Sequence, residues 1–129
     1  MRERLKILLV EDNLLNQRVV TFSLKKYDHE VTIANNGLEA VEKFGENKFD
    51  VILMDIMMPV MDGLEATVKI REAEKKYGIE KRTPIIALTA NTMDNDKEKC
   101  MSYGMDEFLA KPFDIEKLNV IFKELEIPC

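Results

Sequence analysis

Val51-Ile52-Leu53-Met54-Asp55-Ile56-Met57-Met58-Pro59-Val60-Met61-Asp62-Gly63 is the stretch whose reading decides the fold. Four apolar residues in succession, Val51 to Met54, predict a strand buried on both faces, and the Asp55 carboxylate ends it. Pro59 fixes its own φ and drives Met58 towards an extended backbone, while Asp62-Gly63 marks a turn. A short loop therefore leaves Asp55 and sets its carboxylate at the floor of a cleft.

Upstream, Leu5 to Val10 is apolar but for Lys6 and stops at Glu11-Asp12. Asn13 can cap a helix whose apolar face is drawn from Leu14, Val19, Val20, Phe22 and Leu24. His29, between two acids, reads as an exposed loop residue at the start of a second strand, Glu30 to Ala34. Asn35-Asn36-Gly37 is a turn, and Leu38, Ala40, Val41 and Phe44 space a short amphipathic helix. Downstream, Leu64, Ala66, Val68 and Ile70 predict a helix whose far end, Arg71 to Lys76, reads as solvated charge before Gly78. Pro84 can open a fourth strand, Ile85 to Leu88, which Thr89 ends. A weaker helix over Asn91 to Tyr103 stops at Gly104, and Phe108 to Ala110 is a fifth strand closed by Lys111-Pro112. Asp114 caps a last helix carrying Ile115, Leu118, Ile121, Phe122 and Leu125. Five rounds of strand and helix predict an open, doubly wound α/β domain with a parallel sheet covered on both faces, one domain over residues 1–129.

Composition bounds the function. At 129 residues, 46% hydrophobic and 33% charged, the chain can bury a core without disulfides or metal. A net charge of −5 argues against a direct nucleic-acid partner. Cys100 and Cys129 stand in no metal-ligand spacing and read as free thiols in a reducing cytosol. The apolar run Ile7 to Val10 is too short for a membrane span, so a cytoplasmic domain without direct membrane contact is expected.

In a parallel sheet the carboxyl ends of the strands share one edge, where ligands bind. That edge would gather Glu11-Asp12, Asp55, Thr89 and Lys111 into one cleft. Three clustered carboxylates raise one another's pKa unless a cation neutralises them, and oxygen-only ligands suit Mg²⁺, with Mn²⁺ an acceptable substitute. A metal, an ammonium and a hydroxyl around one carboxylate are the parts that move a phosphoryl group onto it. Asp55 would be the nucleophile, with Thr89 and Lys111 holding phosphoryl oxygens.

These features together resemble the receiver domain of two-component response regulators, and the resemblance covers essentially the whole chain. It is carried by Glu11-Asp12, the D-x-x-M-P-x-M-D-G run from Asp55 to Gly63, Thr89-Ala90 and Lys111-Pro112. It implies a flavodoxin-like (βα)5 fold with strand order 2-1-3-4-5. It implies that Asp55 accepts phosphate from a phosphohistidine, and that Asp12, Asp55 and the Met57 carbonyl bind Mg²⁺ with Glu11 acting through water. It further implies a cis Lys111-Pro112 bond, Phe108 as the switch aromatic, and a face formed by the fourth helix, fifth strand and fifth helix that changes partners. Asn13, Asn16, Leu88-Thr89-Ala90-Asn91 and Phe108 to Phe113 are similar to receivers of hybrid histidine kinases. The implied partner is therefore a histidine kinase or a histidine phosphotransfer domain docking around Leu14, Leu15 and Asn16, with the chain a monomer or weak dimer and with no substrate turnover of its own.

Two rivals share parts of this pattern. A haloacid-dehalogenase-like aspartyl-phosphate hydrolase needs an acid two residues after its nucleophile, where this chain has Met57. A flavodoxin-like cofactor binder needs a phosphate-cradling loop after strand one, where Glu11-Asp12-Asn13 would repel phosphate.

Overall fold

A computed structural model describes residues 4–79, 81–89, 94–111 and 113–127, and of residues 94–97 the backbone alone. Ala90, Asn91, Pro112 and Cys129, on which parts of the sequence reading rest, lie outside the described residues. The lone apolar runs form the strands β1 (Lys6–Val10), β2 (Glu30–Ala34), β3 (Val51–Asp55), β4 (Ile85–Thr89) and β5 (Glu107–Ala110). Between and after them lie the helices α1 (Leu14–Lys26), α2 (Gly37–Glu46), α3 (Gly63–Lys76), α4 (Asp94–Ser102) and α5 (Ile115–Glu124). All pairings are parallel and the order is β2-β1-β3-β4-β5, as the family resemblance implies.

Strand alternation sorts the core into two layers. Leu8, Val10, Ile52, Met54, Ile85 and Ala87 face one side, where Ala40, Phe44, Leu64, Ile70 and Cys100 of α2, α3 and α4 cover them. Ile7, Leu9, Val51, Leu53, Ile86 and Leu88 face the other, under Val20 and Leu24 of α1 and Leu118 and Phe122 of α5. Asn13, Asn36, Asp62 and Asp114 each cap a helix, with a side-chain oxygen accepting a backbone N–H from the first turn.

Three expectations are overturned. The apolar face of α1 is narrower than its composition suggests: only Gln17, Val20 and Leu24 are buried, whereas Leu14, Leu15 and Phe22 are 66%, 70% and 65% exposed. His29 is no exposed loop residue but 3% exposed. Its Nδ1 accepts the Leu5 N–H at 3.1 Å, and its ring stacks near Tyr27 and meets Phe122 edge-on. Flanking acids on the outside of the turn conceal a ring that closes the base of β1.

The charged end of α3 is likewise only partly solvated. Arg71 donates to Glu74 Oε1, Asp106 Oδ2 and the carbonyls of Thr83 and Gly104, all within 2.9 Å. Glu74 Oε2 accepts the Thr83 N–H at 2.6 Å, and Asp106 accepts from Arg82 and from the Ile85 N–H. This clasp ties α3 to the starts of β4 and β5, on the sheet edge opposite Asp55.

Removing Arg71 would leave buried Glu74 without its charged partner and Asp106 with only Arg82 and the Ile85 N–H. Arg71→Ala is expected to lower stability by about 3 kcal/mol, read from urea unfolding. Arg71→Lys should recover little of the loss, because an ammonium cannot reproduce the guanidinium fork.

Candidate functional site

Sheet register assembles the cleft. Val10 pairs with Ala34 on one side and Met54 on the other, Asp55 pairs with Leu88, and Thr89 with Ala110. Glu11, Asp55, Thr89 and Lys111 therefore emerge at one edge of the sheet. Together with Asp12, Asn13, Asn16 and Met57 they line an open cleft of about 510 Å³. A larger cavity of about 800 Å³ lies at the opposite edge among Phe44, Phe49, Ile79 and Ile127, and holds none of the expected site residues.

The loop after Asp55 is tightly built. The Gly63 N–H donates to the Ile56 carbonyl at 2.8 Å, which brings the start of α3 beneath the nucleophile position. A β-carbon at Gly63 would collide with the Asp55 carbonyl oxygen, so only glycine permits this approach. At the loop's tip the Met61 N–H donates to the Pro59 carbonyl at 2.8 Å, and Val60 takes φ +70°. A β-branched residue in that region is strained, and the resulting three-residue turn leaves Val60 exposed.

Carboxylate oxygens of Glu11, Asp12 and Asp55 lie within 4.8 Å of one another. Lys111 Nζ donates to Asp55 Oδ2 at 3.1 Å and stands 3.7 Å from Glu11 Oε1. The Met57 N–H reaches Asp55 Oδ1 at 3.3 Å. Asp12 is exposed, whereas Glu11 is 1% exposed and neither of its side-chain oxygens has a hydrogen-bond partner. Burial first, and then the neighbouring Asp55 carboxylate, push Glu11 from 4.5 up to about 7, against the opposing pull of nearby Asn16 and Lys111. An orphaned buried carboxylate in an all-oxygen cluster fits a hard divalent cation such as Mg²⁺ and offers zinc no nitrogen or sulfur.

Thus six expected residues, Glu11, Asp12, Asp55, Met57, Thr89 and Lys111, share the cleft. Phe108 does not line it: paired with Ala87, it is half-buried against the core layer under α2, α3 and α4. Gln17 and Asn35 support the cleft from behind and were passed over in the sequence. The available signal is the spacing of Gln17 with Val20 and Leu24, three and seven residues on, which puts an uncharged polar side chain on the face that those two bury.

Residues 7–123 match the model of the response regulator receiver domain family. The hybrid signal transduction histidine kinase B of Dictyostelium discoideum is 48% identical over 114 residues, covering 83% of this chain and 6% of that protein. The receiver domain of a sensor histidine kinase from Pseudomonas aeruginosa PAO1, solved with a magnesium ion coordinated in its active-site cleft, is 42% identical with a TM-score of 0.82. That likeness covers 95% of this chain and 97% of the other. The receiver domain of Ssk1 from Saccharomyces cerevisiae, solved with the histidine phosphotransfer protein Ypd1, is 33% identical with a TM-score of 0.87 over 100% of this chain and 92% of that chain. This chain spans 15% or less of the length of the first kinases it matches.

The raised pKa of Glu11 sets a pH dependence. The folded chain keeps a proton that the unfolded chain releases between pH 4.5 and about 7. The stability linked to that proton is full below pH 4.5 and is lost as pH rises through 7. A divalent cation needs the charged form, so Mg²⁺ affinity should increase from pH 6 to pH 8, with proton release on binding near pH 7. Calorimetric titration in two buffers of different ionisation enthalpy checks both; a pH-independent affinity would contradict the assigned cause.

Proposed function

The chain belongs to the response regulator receiver domain family, and from that premise we propose that residues 1–129 act as one phosphoacceptor unit in which Asp55 takes the phosphoryl group. The observation that carries this reading is the Lys111 ammonium 3.1 Å from Asp55 Oδ2, where Asp55 forms a cluster of three carboxylates with Glu11 and Asp12. Bound Mg²⁺, with Mn²⁺ as a substitute, would neutralise those carboxylates and the charge on the incoming phosphoryl oxygens. Glu11, Asp12, Asp55 and the Met57 carbonyl are the groups that would hold it.

An Asp55 carboxylate oxygen attacks the phosphorus of a phosphohistidine; the new O–P bond forms as the P–N bond breaks, and the donor imidazole leaves with the electron pair. Lys111 releases Asp55 Oδ2 and follows a phosphoryl oxygen, and the Thr89 hydroxyl donates to another. The acyl phosphate then hydrolyses without a dedicated substrate, which makes the domain a switch with self-dephosphorylation rather than a turnover enzyme. Phe108, two residues before Ala110 on β5, is assigned the moving aromatic. A hydrolase of the haloacid dehalogenase type gains no support, since Met57 stands where its second acid belongs.

Membership of a hybrid histidine kinase would suit the relatives, and a cytoplasmic setting suits the described residues, among which no helix is long and apolar enough to cross a membrane. The partner proposed is a histidine kinase or histidine phosphotransfer domain docking over Leu14, Leu15 and Asn16 beside the cleft, with the receiver itself a monomer or weak dimer.

Intact-mass measurement after incubation with Mg²⁺ and acetyl phosphate should find one added phosphoryl group, absent in Asp55→Asn and in chelator. No adduct, together with no beryllofluoride complex, would overturn the phosphoacceptor role. Leu15→Asp should retain loading by acetyl phosphate while transfer from a phosphorylated histidine phosphotransfer domain falls at least tenfold. Undiminished transfer would remove α1 as the docking face.

A further inference from the structure

Gln17 is buried on the inner side of α1, with its backbone N–H bound to the Asn13 carbonyl at 2.9 Å in the first helical turn. Its side chain leaves the helix to do something else. Nε2 donates to the Glu11 carbonyl at 2.6 Å and to Asn35 Oδ1 at 2.8 Å. A backbone carbonyl only accepts, so the nitrogen must be the atom that faces it, and both amide hydrogens are then committed. Asn35 in turn donates through its backbone N–H and its Nδ2 to Glu39 Oε1, each at 3.1 Å. A chain of hydrogen bonds thus runs from α2 through the turn after β2 and through α1 to the peptide that joins Glu11 to Asp12.

We propose that Gln17 is the positioning residue of the Glu11-Asp12 acid pair, fixing where two metal-binding carboxylates point without touching the metal. The proposal rests on the phosphoacceptor reading above. Glu11 has left the β1 strand, and its N–H is held by the Ala34 carbonyl at 3.0 Å. Its carboxylate oxygens have no hydrogen-bond partner, and the Lys111 ammonium stands off from Oε1 at 3.7 Å. The direction of the Glu11 side chain therefore depends strongly on its backbone, and the carbonyl half of that backbone is held by Gln17. The same carbonyl belongs to the peptide plane that launches Asp12. Gln17 does not line the cleft, which separates its role from that of the ligands.

A buried glutamine satisfied for packing alone would be equally stable with any pair of acceptors. What distinguishes a positioning role is that its loss is felt at the metal, and felt through Glu11. Gln17→Met keeps the length of the side chain and deletes both donors. Mg²⁺ affinity measured by isothermal titration calorimetry at pH 8 should fall about tenfold or more, the range seen when groups behind metal ligands are removed. Leu24→Ala, which opens a hole in the same helix far from the cleft, should lower the melting temperature and leave Mg²⁺ affinity unchanged.

In a Glu11→Gln background, Gln17→Met should cost clearly less than it does in the native chain, because one of the two carboxylates it positions is gone. An undiminished, independent loss there would overturn the proposal, as would a Gln17→Met protein that binds Mg²⁺ like the native chain. Should Gln17→Met fail to fold, Asn35→Ala carries the test, since it cuts only the second link; it should weaken Mg²⁺ in the same direction, and unchanged affinity would again overturn the role. A native protein that binds no Mg²⁺ would instead remove the phosphoacceptor reading itself, an outcome distinct from a native protein that binds and a variant that binds equally well.

Discussion

Charge repulsion among Glu11, Asp12 and Asp55 is the constraint around which this domain is built. Their oxygens lie within 4.8 Å of one another at the edge of a sheet that otherwise holds almost nothing but hydrocarbon. Folding alone does not favour this arrangement: Glu11, by its burial first and by the nearby Asp55 second, holds its proton towards neutral pH, and Asp55 draws in the Lys111 ammonium. The rest of the structure keeps the three groups from drifting apart. Parallel strands bring their ends to one edge, α3 is pressed under Asp55 through Gly63, and Gln17 holds the Glu11 carbonyl from behind. A site made unstable by its own charge is a site ready for a cation and a phosphoryl group.

The architecture was readable because each strand announces itself twice, by an apolar run and by the polar residue that ends it. Val51 to Met54 followed by Asp55 needs burial on both faces, and a chain with five such runs separated by helical spacing has few ways to fold. The cleft followed from the same logic, since Glu11, Asp55, Thr89 and Lys111 each sit at a strand end and register does the remainder. Phe108 differs from these: its strand position is evident, while its half-buried placement away from the cleft depends on packing.

What escaped the sequence is polar chemistry turned inward. Arg71 and Glu74 sit in a run of charges and look solvated, because nothing local says that Asp106, 35 residues on, will close over them. His29 is flanked by Asp28 and Glu30, yet its ring is held edge-on to Phe122 with Nδ1 accepting the N–H of Leu5, just before β1. On α1 the error ran the other way: Leu14, Leu15 and Phe22 are apolar and remain outside, since a helix against a flat sheet can bury only a narrow stripe. Amphipathic spacing tells which residues could share a face, not how much of that face finds a neighbour.

The Arg71 clasp also gives β4 and β5 a mechanical character. Asp106 is bonded to Ile85 at the start of β4 and leads directly into β5, and both are pinned through Arg71 to α3. At the far ends of the same two strands stand Thr89 and Lys111, about 15 Å away at the rise of an extended chain. The clasp does not reach those far ends, where sheet pairing holds the chain, Asp55 beside Leu88 and Thr89 beside Ala110. The hydroxyl and the ammonium thus stand at the ends of two strands whose roots are fixed by ion pairs and whose tips are fixed by backbone hydrogen bonds.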